Sequence, residues 1–456
     1  MPRRRRIAVA LAVAATLSGA PGSAVGADPT APPPAEVHLS PETLRREFDG
    51  WIAAMAATHP DLAGRVDLAE LRRAQVEVRA AIRQPMTADE AWRLFARLNP
   101  YLRDGHNGVL PADYRGRVQA HLDGGGRVFP FEVRISEAGE LYALDADPAG
   151  PRRIRTIEGR PAGAVVERLL ALAIGDTLRF RQAWVSRRFP LLYWQIYGDP
   201  GDYEIGLEAR PARRVPGARA LPVSAQPAPP AAQLYSRETL PGDIGYLRID
   251  SFAGEHRDAL ARFARESFAE FRGRGVQALI VDIRENDGGD DPPWQESLMD
   301  HITAAPYAHV SRYAVRVTAR NARPGETIGA IRRSNFEDRF RPSADNPNRM
   351  SAPVYILVGP FTYSAAIQFA VAAQDFSVAK IAGVETGALA CQTGQTQAVP
   401  MLHTGLNAFA PRAAFTRPSG EGCERGVLPD VPIPVDETNP RAAVEALAQH
   451  IRSTAR

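Results

Sequence analysis

The chain reads as an α/β protein built on a mostly parallel central sheet, and three observations say so. Ala278-Leu-Ile-Val-Asp-Ile283 and Val354-Tyr-Ile-Leu-Val358 are unbroken apolar runs rich in β-branched side chains, the pattern of strands covered on both faces. Segments of helical period, Arg257 to Phe271 and Ala365 to Ala370, lie before and after them. Ile244-Gly-Tyr-Leu-Arg-Ile-Asp250 and Lys380-Ile-Ala-Gly383 add further strands, so strand and helix signals alternate from Gly242 onward.

A length of 456 residues suits two or three domains, and 45% hydrophobic with 23% charged residues is an ordinary globular composition. Residues 1–27 stand apart. Arg3 to Arg6 are basic, Ile7 to Leu17 are apolar, and Ser23-Ala-Val-Gly-Ala27 is small: the layout of a secretory signal peptide. The apolar run is too short for a stable membrane span, so the expected product is periplasmic or extracellular, with a retained anchor as the alternative. Removing those four arginines and no acids takes the formal charge from +3 to −1, which leaves no electrostatic case for nucleic acid. Cys391 and Cys423 are the only cysteines; in an exported chain they are disulfide candidates, the alternative being two buried thiols. No His/Cys pattern suggests a metal.

Residues 28–39 are a Pro/Ala-rich lead-in expected to lack structure. Residues 40–107 form a helical N-terminal domain. Ser40-Pro41 is a cap with proline at the first helical position, and Leu44, Phe48, Trp51, Ile52 and Met55 follow at helical spacing. Thr87-Ala-Asp-Glu90 is a capping box ahead of Ala91, Leu94, Phe95 and Leu98. The region ends in Asp104-Gly105-His106-Asn107-Gly108, where glycines permit a tight turn that displays His106. Residues 124–208 carry strands at Val128–Ile135 and Leu141–Leu144, an Ile-x-x-Ile-x-Gly-x-Pro turn and a helix at Ala164–Leu172. This order resembles a degenerate PDZ-like α+β module. Residues 209–233, with six prolines, read as a linker, residues 234–440 as the α/β core and 441–456 as a C-terminal helix.

Three places could carry chemistry. Ser364 follows Gly359-Pro360 and precedes the Ala365 helix, so its hydroxyl sits at a strand-to-helix junction beside free N–H groups; capping is its simplest structural role. Asp282-Ile-Arg284-Glu-Asn286-Asp-Gly288-Gly289 ends an apolar strand in glycines whose N–H groups could face a carbonyl oxygen; a plain turn with Asp282 and Arg284 paired is the alternative. His106 is the natural general base by its pKa, though a histidine in such a turn is often merely exposed. A late turn, Glu421-Gly-Cys423-Glu424-Arg425-Gly-Val-Leu-Pro-Asp430, offers carboxylates to orient a histidine.

Taken in order, Gly245-Tyr-Leu-Arg-Ile249, Leu279-Ile-Val-Asp-Ile-Arg-x-Asn-x-Gly-Gly289, Thr362-Tyr-Ser-Ala-Ala366, Gly383-Val-Glu-Thr-Gly387 and Gly426-Val-Leu-Pro-Asp430 resemble the tail-specific, or C-terminal-processing, serine peptidases. Relatives of that family include the tricorn protease core and the interphotoreceptor retinoid-binding protein. The resemblance spans residues 242–434 and implies a crotonase-like (ClpP-like) core, Ser364 as nucleophile, and oxyanion donors at the N–H groups of Ala365 and of Gly288 or Gly289. It also implies a polypeptide substrate and no cofactor. The substrate is expected beside the 244–250 strand, near Tyr246, Arg248 and Asn286. The Ser/Lys branch keeps its lysine about 25 residues after the serine, where this chain has Leu389; its single lysine, Lys380, falls earlier. The Ser/His branch carries an Asp-Gly-His-Thr motif that Asp104-Gly105-His106-Asn107 matches in three of four places. His106 is therefore the expected base. Its supporting acid is expected to be Glu424, one residue off the family's register because Cys423 occupies the usual place, with Glu385 or Glu421 as alternatives. A member of the fold that has lost catalysis and only binds is the rival function; oligomeric state is left open.

Overall fold

A computed structural model describes residues 37–222, 225–226, 229–319, 321–436 and 438–454. The signal-peptide reading of residues 1–27 and most of the 28–39 lead-in lie outside the described residues. The chain folds as a mixed α/β protein. Its central sheet runs in the order Val431–Pro432, Lys380–Gly383, Val354–Val358, Ala278–Asp282, Ile244–Ile249, Tyr235–Leu240. All neighbours pair in parallel except the last two strands, which form an antiparallel pair. The apolar runs follow from burial on both faces. Leu279 and Val281 face one hydrophobic cluster, which also holds Phe268 and Phe271 of the helix Arg257–Arg274 and Phe369 of the helix Ala365–Asp375. Ala278 and Ile280 face another, closed by Val444, Leu447 and Ile451 of the helix Pro440–Thr454.

The N-terminal helices form where the capping signals stand. The Ser40 hydroxyl accepts the Thr43 N–H at 3.2 Å to open Pro41–Thr58, and Thr87 and Glu90 close a reciprocal capping box on Ala88–Phe95. Leu44, Phe48, Trp51 and Met55 are all buried. With Leu68–Ala81 these helices share one hydrophobic cluster with the central sheet. The middle region holds the strands Val133–Ile135, Leu141–Ala143, Arg152–Ile157 and Asp202–Leu207, the helix Ala162–Leu170 and the longer helix Leu178–Tyr197. The strand expected from Val128 forms only from Val133; Val128 makes a single bridge to Ala218. Residues 209–233 are not wholly a linker. Arg213–Pro216 pairs with Asp202–Leu207, Ala231–Leu234 is helical, and Leu221 and Ala225 are buried against Val118 and Leu191. No helix among the described residues is long and apolar enough to cross a membrane.

A second, antiparallel sheet ties the ends of the chain together. Gly108–Leu110, immediately after the His106 turn, pairs with Asn407–Thr416, which also pairs with Gln392–Val399. This arrangement places residues 104–110 and 392–393 beside one another although nearly three hundred positions separate them.

Candidate active site

Ser364 has φ 52° and ψ −123°, a conformation rare for a residue with a Cβ. Such backbone strain costs about 1–3 kcal/mol and persists where its surroundings enforce it. Here the Tyr363 N–H donates to the Asn286 carbonyl at 3.0 Å, and the Thr362 hydroxyl donates to the Ile283 carbonyl at 3.0 Å. The Ser364 carbonyl accepts Gln392 Nε2 at 2.7 Å and the Gln368 N–H at 3.1 Å. The hydroxyl does not cap its helix. It lies 3.1 Å from His106 Nε2.

The glycine turn is packed against this corner. At Gly288, φ is 102°, and a Cβ there would stand 2.5 Å from Ser364 Cβ and 2.9 Å from the Ala365 nitrogen. The Gly288 N–H is already donated to Asn286 Oδ1 at 2.8 Å, so of the two glycines Gly289 is the one whose N–H stays free. Ala365, first in its helix, has no intrahelical acceptor for its N–H. Gly289 and Ala365 are thus the donors that remain.

His106 is held from its own turn and from four other segments. Its backbone N–H donates to Asp104 Oδ1 at 2.8 Å, and its Nδ1 lies 2.9 Å from the Tyr363 hydroxyl and 3.9 Å from Asp104 Oδ1. Asp104 is fully buried. The Thr393 hydroxyl reaches both its oxygens at 2.8 and 2.7 Å, and His59 Nε2 lies 3.4 Å from Oδ2. His59 Nδ1 accepts the Asp61 N–H, which leaves Nε2–H to donate to Asp104. Arg65 donates to the Cys391 carbonyl at 2.9 Å and lies 3.6 Å from Asp176 Oδ1. Burial alone would raise the Asp104 pKa, but the His59 hydrogen bond and the Arg65 charge hold it well below the usual carboxylate range. Burial, with the Asp104 charge added, pushes Asp176 up to about 7. Burial brings His106 down to about 4 against the pull of Asp104, so its ring is neutral at neutral pH and ready to accept a proton.

Other expected residues lie elsewhere. Glu424 and Glu421 are at the surface, and Glu385 pairs with Arg425 at 3.0 Å; none contacts His106. The off-register Glu424 is therefore corrected: the carboxylate nearest the ring is Asp104, in the histidine's own turn. The strand Ile244–Ile249 has partners on both edges, so no peptide can add to it. Tyr246 is buried with its hydroxyl on Asp282 at 3.0 Å, and Asn286 is buried bracing the glycine turn; Arg248 is half-exposed and donates to the Gln233 carbonyl. Tyr246 and Arg248 still line the large cleft that reaches Ser364; Asn286 does not. Lys380 is exposed at the start of its strand. Cys391 and Cys423 are joined in a disulfide. The sequence reading missed His59, Arg65, Asp176, Gln392 and Thr393. Each is an ordinary residue locally and gains meaning only from partners far along the chain.

The family model for peptidase family S41 matches residues 243–433, the stretch that holds the glycine turn and Ser364. Among solved structures, mature CPAF is 14% identical with a TM-score of 0.61, covering 90% of this chain and 96% of that one. Mature CPAF complexed with lactacystin is 14% identical with a TM-score of 0.60, covering 91% and 97%. The photosystem II D1 C-terminal processing protease is 18% identical with a TM-score of 0.42, covering 86% and 92%. At these identities the likeness to CPAF speaks for the fold alone. No curated protein sequence matches the chain.

Proposed function

We propose that the chain is an exported serine endopeptidase in which Ser364 is the nucleophile and His106 the general base, on a crotonase-like core. One observation carries this reading. An imidazole 258 positions upstream lies 3.1 Å from the hydroxyl at a strained strand-to-helix corner. In the reaction His106 Nε2 takes the Ser364 proton as the hydroxyl attacks the scissile carbonyl, and the N–H groups of Gly289 and Ala365 hold the oxyanion. His106 then returns the proton to the leaving amine, and water hydrolyses the acyl-enzyme by the reverse relay. The cleft beside Ser364, of about 2680 Å³, is lined by residues that include Phe180, Trp184, Arg187, Arg188 and Asn335 to Asp338. That volume exceeds the roughly 300–1,000 Å³ of small-molecule sites and favours a polypeptide over a small ester. Arrangement in the Ser/Lys manner has no support, because the single lysine is exposed on the central sheet.

The test is labelling with a fluorophosphonate. Wild type should be modified stoichiometrically, while Ser364→Ala and His106→Ala should not, and an unfolded protein should be cleaved faster than a small ester. Absence of both labelling and cleavage in the folded wild type would leave a binding protein on the same fold. Loss of labelling in Lys380→Arg, with His106→Ala intact, would restore a Ser/Lys scheme.

A further inference from the structure

A neutral imidazole carries its one proton on either nitrogen, and only the form protonated at Nδ1 can accept the Ser364 proton at Nε2. Something must therefore accept a hydrogen bond at Nδ1. Asp104 is not placed to do so, since its oxygen is 3.9 Å away and its carboxylate is occupied by His59, Thr393 and the His106 backbone. The group at hydrogen-bond distance is the Tyr363 hydroxyl, at 2.9 Å. The two rings lie against each other with centroids 4.7 Å apart, and Phe180 packs on Tyr363 at 4.5 Å. Gly105 leaves the space, since a Cβ there would stand 2.6 Å from the phenolic oxygen.

A tyrosine hydroxyl both donates and accepts, so by itself it does not choose the tautomer. Asp176 supplies the choice. It precedes the cap of the helix Leu178–Tyr197, is buried, and accepts the Gly105 N–H on Oδ2 at 3.3 Å. Its Oδ1 is buried without a hydrogen-bond donor. Burial, together with the Asp176 charge, holds the proton on the Tyr363 phenol. If the phenol directs its proton to Asp176, its lone pair is left facing Nδ1–H. We infer that Tyr363, biased by Asp176, is the positioning residue that fixes His106 in the tautomer able to accept the Ser364 proton. The inference rests on the Ser364/His106 reading and extends it to a second carboxylate drawn from the middle region of the chain.

The groups facing Asp176 are Arg65 and, on the same side, Asp104 with His59 and His106 beyond it; Arg181 on its own helix; and Tyr363 from the core. Asp176, raised to about 7, is ionised above that pH and neutral below it. Once neutral it no longer draws the phenol proton, which can turn onto Nδ1 and drive the ring into the wrong form. The acid limb of kcat should accordingly lie near 7, well above His106's own value of about 4.

Tyr363→Phe keeps the ring packing and removes the oxygen; Asp176→Asn keeps the shape and removes the charge. Each should lower kcat roughly 10²- to 10⁴-fold with KM within about twofold, since a mis-set tautomer costs up to about 10⁴. Both should lose the limb near 7. In a Ser364→Ala background, the ¹⁵N signals of His106 should report the proton on Nδ1, and adding Tyr363→Phe should shift the population toward Nε2. An unchanged tautomer and a wild-type pH profile in Tyr363→Phe would overturn the inference. The parent reading is judged separately, because it fails only if wild type does not label or His106→Ala labels normally.

Discussion

The two halves of the reacting pair are held by different means. Ser364 is fixed by backbone: a positive φ, a glycine turn with no room for a Cβ, and carbonyls that pull residues 362 and 363 into place. His106 is fixed by side chains: Asp104, Thr393, His59 and Tyr363 converge on its turn, with Arg65 and Asp176 behind them. The backbone constraints come from two short stretches, 283–289 and 359–364. Side-chain networks are written across the whole chain, and their members are exchangeable only in sets.

The difference predicts unequal responses to damage. The largest should come from Gly288→Ala, because no rotamer change can move a Cβ away from Ser364 when φ is 102°. We expect kcat/KM to fall at least about 10²-fold, comparable to losing an oxyanion donor, while thermal unfolding moves by only a few degrees. A Gly288→Ala enzyme with near-normal turnover would mean that the nucleophile side tolerates displacement and that the contrast is misplaced.

Asp104→Asn should act in the opposite proportion. It removes a buried charge from Arg65, His59 and Thr393 at once, and breaking one member of such a set costs about 3–5 kcal/mol. Chemical denaturation should register that loss, and fluorophosphonate labelling should slow because the His106 turn loosens. Retained stability with activity lost would instead make Asp104 an electrostatic participant in the reaction and not a scaffold.

This asymmetry also explains what could be read in the sequence. Strand order, the serine corner, the glycine turn and the helix caps all follow from short-range patterns such as Thr87–Glu90 or Leu279–Gly289. The His106 turn was visible through Asp104-Gly105-His106, but its support was not. Asp176 looks like a helix-leading acid and Thr393 like a strand residue; only the pairing of Gly108–Leu110 and Gln392–Val399 on a shared strand brings Thr393 to Asp104. The misplaced acid has the same origin. Register points to Glu424, while the burial of Asp104, the carboxylate two residues from the histidine, is announced by no local pattern.

Opening the disulfide should give a smaller effect, felt at the base through Thr393 and at the nucleophile through Gln392. Cys391 begins the segment whose next two residues bond Ser364 and Asp104, and its carbonyl receives Arg65. A link across 32 positions contributes about 3–4 kcal/mol by loop closure. The double variant Cys391→Ala/Cys423→Ala should lose about that much stability and label more slowly. The acyl-enzyme, once formed, should still be held by Gly289 and Ala365.

The smallest effects are expected at two charged residues that local spacing makes conspicuous. Glu424 is exposed next to Arg425 in the chain, and Lys380 is exposed at the start of its strand. Surface charges of this kind contribute at most about 1 kcal/mol, and neither reaches His106 or Ser364. Glu424→Gln and Lys380→Arg should therefore leave kcat, KM and the acid limb within about twofold of wild type. A pH profile displaced by Glu424→Gln would mean that the late turn closes over the histidine during turnover. The base would then be completed by a carboxylate that approaches only with substrate, and the division between a backbone-held nucleophile and a side-chain-held base would describe the resting enzyme alone.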